Sequence, residues 1–193
     1  MIRALYGGSF DPVHLGHLAL ASEALEQFDL HRVLFVPNRF PPHKNPEELT
    51  PFEHRMKMLE LATESNPDFE IADLESRRFP AYTVDLLERV SSPGFKPVFI
   101  MGMDSLSQLH TWKDPLKIVT LARVLVGVRP GYDTSGVDGK LLERVETFEF
   151  PGVWISSSNI RSRLRSGRSV SYLVPEGVES YIRSRGLYGT KGH

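Results

Sequence analysis

At 193 residues the chain is long enough for one well-buried α/β domain and too short for two of typical size. Its 23 Lys plus Arg against 24 Asp plus Glu leave a formal net charge of −1, so no overall basic field points to nucleic acid and anion binding has to come from local clusters. It has no cysteine, which excludes disulfides, thiol catalysis and cysteine-ligated zinc and is compatible with a reducing cytoplasm. No cationic leader precedes an apolar stretch, and no run of eighteen apolar residues occurs, so the expectation is a cytoplasmic protein without membrane contact.

Residues 2–6 predict a short buried strand, and 18–25 a helix with apolar residues three and four apart. Between them runs Gly7-Gly8-Ser9-Phe10-Asp11-Pro12-Val13-His14-Leu15-Gly16-His17, a tight β-to-α turn. Such a turn aims unpaired backbone N–H groups, and the positive end of the helix dipole, at any anion in front of the strand. His14 and His17 are three apart and share one face of the helix's first turn. The stretch is neither a Walker loop, since no Gly-Lys-Ser/Thr follows, nor a dinucleotide Gly-x-Gly-x-x-Gly fingerprint. Histidines that merely cap or pack at a turn remain an alternative reading of the pair.

Residues 32–36 form a second expected strand, followed by a long loop from Pro37 to Pro51 that carries five prolines, with His43-Lys44 in its middle. Residues 52–64 are helical, with Met56, Leu59 and Ala62/Thr63 expected inside. A strand at 69–73 leads to a helix at 83–90 with Thr83 as its N-cap. The apolar run 97–101 is the best candidate for a central strand and ends at Gly102-Met103-Asp104. Short helices at 105–110 and 115–122 precede a buried strand at 124–128, broken by Arg129-Pro130-Gly131. After a turn-rich stretch to 139 come short strands at 147–150 and 153–155 and helices near 158–166 and 175–185.

Strands alternating with helices predict a doubly wound, Rossmann-like parallel α/β sheet with helices on both faces, in a single domain over 1–193. Ligands of such a sheet collect beyond the carboxyl ends of its strands, where the strand order reverses. Every loop singled out here leaves such an end. Ser157 and Ser158 read either as the N-cap of a solvated helix or as part of a second anion cradle, with Arg161 as a fixed fork. Asp104 reads as a ribose-binding carboxylate or a helix cap, Trp112 as core packing or a stacking surface for a flat heterocycle. His43-Lys44, in the long loop, reads as an exposed polar tip.

The prefix with His14-Leu15-Gly16-His17, together with Ile155-Ser156-Ser157-Ser158-Asn159-Ile160-Arg161 at the far end of the chain, resembles the His-x-Gly-His nucleotidyltransferases, which join a nucleoside monophosphate to a phosphorylated acceptor. Pro41-Pro42-His43-Lys44, Gly102-Met103-Asp104-Ser105-Leu106 followed by Trp112, Arg129-Pro130-Gly131 and Leu187-Tyr188 are similar to the nicotinate branch. The resemblance weakens at Phe79-Pro80-Ala81-Tyr82-Thr83, which keeps the family's Tyr-Thr and loses the preceding Gly and Ser.

This resemblance implies AMP transfer from ATP to nicotinic acid mononucleotide. ATP would contact Gly7, Gly8, Ser9, Phe10, His14, His17, Gly102, Asp104, Ile155, Ser157, Ser158 and Arg161. The acceptor would meet His43, Lys44, Tyr82, Thr83, Trp112 and Arg129, and His14, His17, Arg161 and Lys44 would carry the chemistry. No compact carboxylate cage is visible, so no protein metal ligand is assigned and Mg²⁺ is expected to arrive mainly on the phosphates. Asp11 could be an outer-shell ligand or could structure the turn. Nicotinamide mononucleotide and phosphopantetheine remain alternative acceptors, and a non-catalytic nucleotide sensor the alternative class. A homo-oligomer is left open. The whole reading requires the N-terminal imidazoles and the distant Ser/Arg turn to converge on one nucleotide tail.

Overall fold

The computed structural model describes residues 3–41, 45–74, 82–131, 136–152 and 154–190. Six strands, β1 (Arg3–Gly8), β2 (Arg32–Pro37), β3 (Phe69–Ile71), β4 (Val98–Gly102), β5 (Arg123–Val128) and β6 (Glu146–Glu149), form one parallel sheet in the order β3-β2-β1-β4-β5-β6. The order reverses between β1 and β4, whose register pairs Tyr6 with Ile100, and Gly102 pairs with Gly127 at the end of β5. That reversal opens a crevice beyond the carboxyl ends of the two central strands.

Side chains along a strand alternate between faces, and the two cores follow that period. Ala4, Tyr6, Val33, Phe35, Val98 and Ile100 pack on one face against α1 (Leu15–Gln27), α2 (Phe52–Thr63), α7 (Ser157–Arg165) and α8 (Glu176–Ser184). Leu5, Val36, Phe99, Met101, Val124 and Val126 pack on the other, against α3 (Thr83–Val90), α4 (Met103–Gln108), α5 (Pro115–Leu121) and α6 (Gly139–Leu142). Burial on both faces accounts for the unbroken apolar runs of β4 and β5.

Several local expectations need correction. The strand expected at 153–155 is not seen at its described residues: Trp154 and Ile155 have no strand pairing, and Trp154 is 73% exposed, while Val153 lies outside the described residues. α2 buries Arg55, Met58, Leu59 and Ala62, a regular i, i+3, i+4, i+7 stripe, whereas Met56 is only half-buried. The charge on Arg55 conceals that frame. α3 takes Tyr82 as its N-cap and has Thr83 as its first helical residue, and α4 starts at Met103, so Gly102 and not Asp104 stands at its cap.

Candidate active site

A cleft of about 540 Å³ lies beyond β1, β4 and β5. Gly7, Gly8, Ser9, His14, His17, Tyr82, Thr83, Gly102, Asp104, Trp112, Arg129, Ile155, Ser157, Ser158 and Arg161 all line it. Residues 43 and 44 lie outside the described residues. Phe10 departs from expectation: it is 1% exposed, and its ring supports the edge of His17 at 5.1 Å from the core side.

The two histidines are built into the start of α1. His14 is the extended N-cap, its own N–H donates to His17 Nδ1 at 3.2 Å, and the rings stack at 3.6 Å with 23° between planes. Since His17 Nδ1 accepts a proton-bearing partner, the neutral ring carries its hydrogen on Nε2, which makes this cleft residue a hydrogen-bond donor. A Cβ at Gly16 would stand 3.1 Å from His14 Nδ1 and crowd the imidazole, so glycine leaves that ring its room. The backbone offers less than expected: the Leu15 N–H is spent on the Leu173 carbonyl at 3.0 Å and that of His17 on His14 O at 2.9 Å. Donation to an anion therefore falls more on the imidazoles.

His14 is buried, and its Nδ1 has no hydrogen-bond partner among the described residues. Burial, and next the positive charge of Arg129, pull its pKa down to about 4. It is neutral at physiological pH, so His14 itself brings no formal positive charge to this part of the cleft.

The Ser/Arg turn does converge on the histidines. Ser157 Oγ donates to Pro12 O at 2.9 Å and Arg161 Nη1 to Asp11 O at 2.7 Å, across 145 and 150 residues of chain. The cap of α7 is Ser156, whose Oγ accepts from the Asn159 N–H at 3.2 Å, so the serine triplet caps one residue earlier than expected and Ser156 joins the cleft wall. Asp11 is 1% exposed, lies 3.9 Å from Arg161 Nη1 and accepts from the Tyr188 hydroxyl at 2.7 Å. Of its two readings, the contacts match structuring of the turn.

Sequence reasoning missed Arg55. It is 1% exposed and spends its guanidinium on main-chain carbonyls, those of Thr50 (2.9 Å), Ser9 (2.8 Å), Asn38 (2.8 Å) and Arg39 (3.3 Å). It thereby clamps the Gly-Gly-Ser turn to the loop after β2, which also reaches the cleft through Asn38 and Pro41. Burial depresses its pKa from the usual guanidinium value, and the Asp11 charge opposes that shift. A lone arginine in an amphipathic helix gives no sequence signal of such a role.

From the other face of the sheet, Tyr82 and Thr83 open α3, and Trp112 packs half-buried on the second core, as one of its two readings expected, while also lining the cleft. Lys113, also missed, holds its ammonium 4.8 Å from the Tyr82 ring and 2.8 Å from the Asp85 carboxylate. Asp104 is exposed at the rim. Arg129 bridges the two ends: its Nη2 is 3.8 Å from the Asp104 carboxylate and donates to Ile155 O at 3.3 Å. The described residues hold no group of three or more His, Cys, Asp or Glu placed to bind a metal ion.

A model of the "Cytidylyltransferase-like" family matches residues 5–163. A protein of Symbiobacterium thermophilum named "Probable nicotinate-nucleotide adenylyltransferase" is 40% identical, covering 96% of this chain and 94% of its own. One of the same name from Thermomicrobium roseum is 43% identical, covering 96% and 91%. In fold, the chain is similar to the Plasmodium falciparum nicotinic acid mononucleotide adenylyltransferase solved with NaAD, with a TM-score of 0.82 at 23% identity and 96% of each chain covered. The chain belongs to the cytidylyltransferase-like family and, within it, to the nicotinate-nucleotide adenylyltransferases.

Proposed function

We propose that the protein transfers AMP from ATP to nicotinic acid mononucleotide, giving deamido-NAD and pyrophosphate, a step of NAD biosynthesis. The observation that carries this reading is the one cleft that His14, His17 and Arg161, from helices on one face of the sheet, line together with Tyr82, Thr83 and Trp112 from the other. An oxygen of the acceptor's 5′-phosphate attacks the α-phosphorus of ATP. The new P–O bond forms as the bond to the β-phosphate's bridging oxygen breaks, and pyrophosphate leaves with the electron pair. The nucleophile is already anionic, so no general base is required and catalysis is positioning plus charge stabilisation.

His17 donates from Nε2 to the α-phosphate as charge shifts in the transition state. His14 serves as a neutral hydrogen-bonding group to the phosphate chain, and Arg161 with the Ser157/Ser158 turn holds the β- and γ-phosphates as the leaving group gains charge. Asp104 accepts from ribose hydroxyls, Gly7, Gly8 and Ser9 let the backbone approach the nucleotide, and Gly102 and Ile155 form its walls. Tyr82, Thr83, Trp112 and Arg129 receive the acceptor. His43 and Lys44 are assigned to closing over the phosphates on the motif alone.

The described residues hold no carboxylate cage, so Mg²⁺ would be held by the phosphates of the nucleotide rather than by protein side chains. When bound it neutralises phosphate charge. No helix among the described residues is long and apolar enough to cross a membrane, and the reading carries a cytoplasmic setting with ATP and the mononucleotide as partners, leaving a homo-oligomer open.

The test is purified protein with ATP and Mg²⁺ and, in parallel, nicotinic acid mononucleotide, nicotinamide mononucleotide or phosphopantetheine, with pyrophosphate followed. Fastest release with the nicotinate acceptor is expected. Release with none would leave a nucleotide sensor, and preference for another acceptor would reassign the substrate.

A further inference from the structure

Tyr188 sits in the left-handed region at φ 57°, ψ 26°, inside the short 3₁₀ turn Leu187–Gly189 near the end of the chain. A residue with a β-carbon adopts that conformation uncommonly, which makes its contacts worth reading for a functional constraint. Here the surroundings are specific. The phenol donates to Asp11 Oδ1 at 2.7 Å across 177 residues, and its oxygen lies 4.0 Å from Met58 Sδ of α2.

Asp11 is buried and shared. Tyr188 occupies its Oδ1, while Arg161 Nη1 stands 3.9 Å from its Oδ2 and 2.7 Å from its main-chain oxygen. A buried carboxylate oxygen with no donor draws the nearest cation toward itself, because leaving it unpaired costs its full desolvation. The nearest cation that also lines the cleft is Arg161. Burial, and next the Asp11 charge, push the Tyr188 hydroxyl above the ordinary phenol range, so it stays a donor at working pH.

We propose that Tyr188 is a positioning residue for nucleotide binding: by satisfying one oxygen of Asp11 it sets how far the Arg161 guanidinium leans back onto that carboxylate, and so how much of it faces the polyphosphate. The inference rests on the reading above that Arg161 grips the β- and γ-phosphates. It makes the C-terminal turn a working part of a site formed mostly by the first and seventh helices.

The test is Tyr188→Phe in the full chain, which keeps the ring and removes the donor. ATP affinity measured directly by titration calorimetry is expected to fall about tenfold, with KM for ATP rising in step and KM for the pyridine mononucleotide within twofold of wild type. In an Arg161→Lys background the same substitution should change ATP affinity by less than about twofold, because the group it positions is already altered. Equal loss for both substrates, or an undiminished effect in the Arg161→Lys background, would overturn the proposal in favour of a purely structural hydroxyl. If Tyr188→Phe does not fold, Asp11→Asn keeps an oxygen for the phenol and removes the charge facing Arg161. It should then alter ATP affinity while sparing the acceptor, and an effect on both alike overturns the proposal. Wild-type protein that binds ATP but releases no pyrophosphate would sink the enzymatic reading and leave the calorimetric result for Tyr188 standing on its own.

Discussion

The two ends of the cleft are held by different kinds of contact. At the polyphosphate end, Arg55, Asp11 and His14 are buried, and hydrogen bonds from Ser157, Arg161 and Tyr188 tie chain segments 145 to 177 residues apart. At the acceptor end, α3 packs through Val84, Leu86 and Leu87 on the second core, and its polar ties to the segment carrying Trp112 are exposed ion pairs, Lys113 with Asp85 and Lys117 with Glu88. Buried networks fix geometry and fail abruptly when one member is lost, whereas exposed pairs contribute little and yield easily. On the proposed reading, the phosphate chemistry would sit in the half held by buried contacts, and acceptor selection where side chains can be exchanged at small cost to the fold.

Substitutions should break that contrast in graded order. His17→Ala is expected to lower kcat by about 10²–10³ with little loss of stability, because the role is electrostatic; steady-state pyrophosphate release checks it, and near-normal turnover would remove His17 from the mechanism. Arg55→Met should destabilise the fold by roughly 3 kcal/mol, since it strands buried carbonyls of the Gly-Gly-Ser turn and the loop after β2; denaturant unfolding measures this, and a change under about 0.5 kcal/mol would contradict the clamp.

His14 makes the rigid half sensitive to acid. Its pKa is about 4 in the folded protein against an ordinary 6.5, so the unfolded chain binds the extra proton between those values. The stability it contributes is complete above about pH 6.5 and is lost as pH falls toward 4, by a few kcal/mol at most. Denaturant midpoints across this range should fall less steeply in His14→Gln, and parallel profiles would show that another group titrates.

At the acceptor end, Trp112→Ala should raise KM for the pyridine mononucleotide more than for ATP, and equal effects would assign Trp112 to packing alone. Lys113→Met should be the mildest, leaving thermal stability nearly unchanged. A large loss of stability there would erase the difference between the two halves.

The sequence made the sheet legible because apolar strand runs and helix periodicity alternate without interruption, and because a glycine-rich turn after the first strand has few other uses. It also placed the first motif correctly at the end of β1; the second starts six residues beyond the end of β6, without the strand expected at 153–155, yet lines the same cleft. It failed where tertiary contact overrules local pattern. Val153–Trp154–Ile155 has strand composition, yet Ile155 is taken up by the wall of the cleft, its carbonyl by Arg129, while Trp154 stays exposed beside the Arg129 guanidinium at 5.4 Å. Phe10 lies inside a motif that suggests ligand contact, but its aromatic ring packs against Tyr6, Phe35 and His17. Three serines in a row leave the cap of α7 ambiguous until Asn159 is seen to bond Ser156. Arg55 and Tyr188 act through main-chain carbonyls and a buried carboxylate far away in sequence, which no local periodicity encodes.

A double-mutant cycle of His17→Ala and Arg161→Ala, read as kcat/KM in pyrophosphate release, tests most directly whether the two motifs act on one polyphosphate. The account predicts strong non-additivity, with the combined loss smaller than the product of the single losses by about tenfold or more. A combined loss equal to that product would mean that the imidazole turn and the arginine helix work independently.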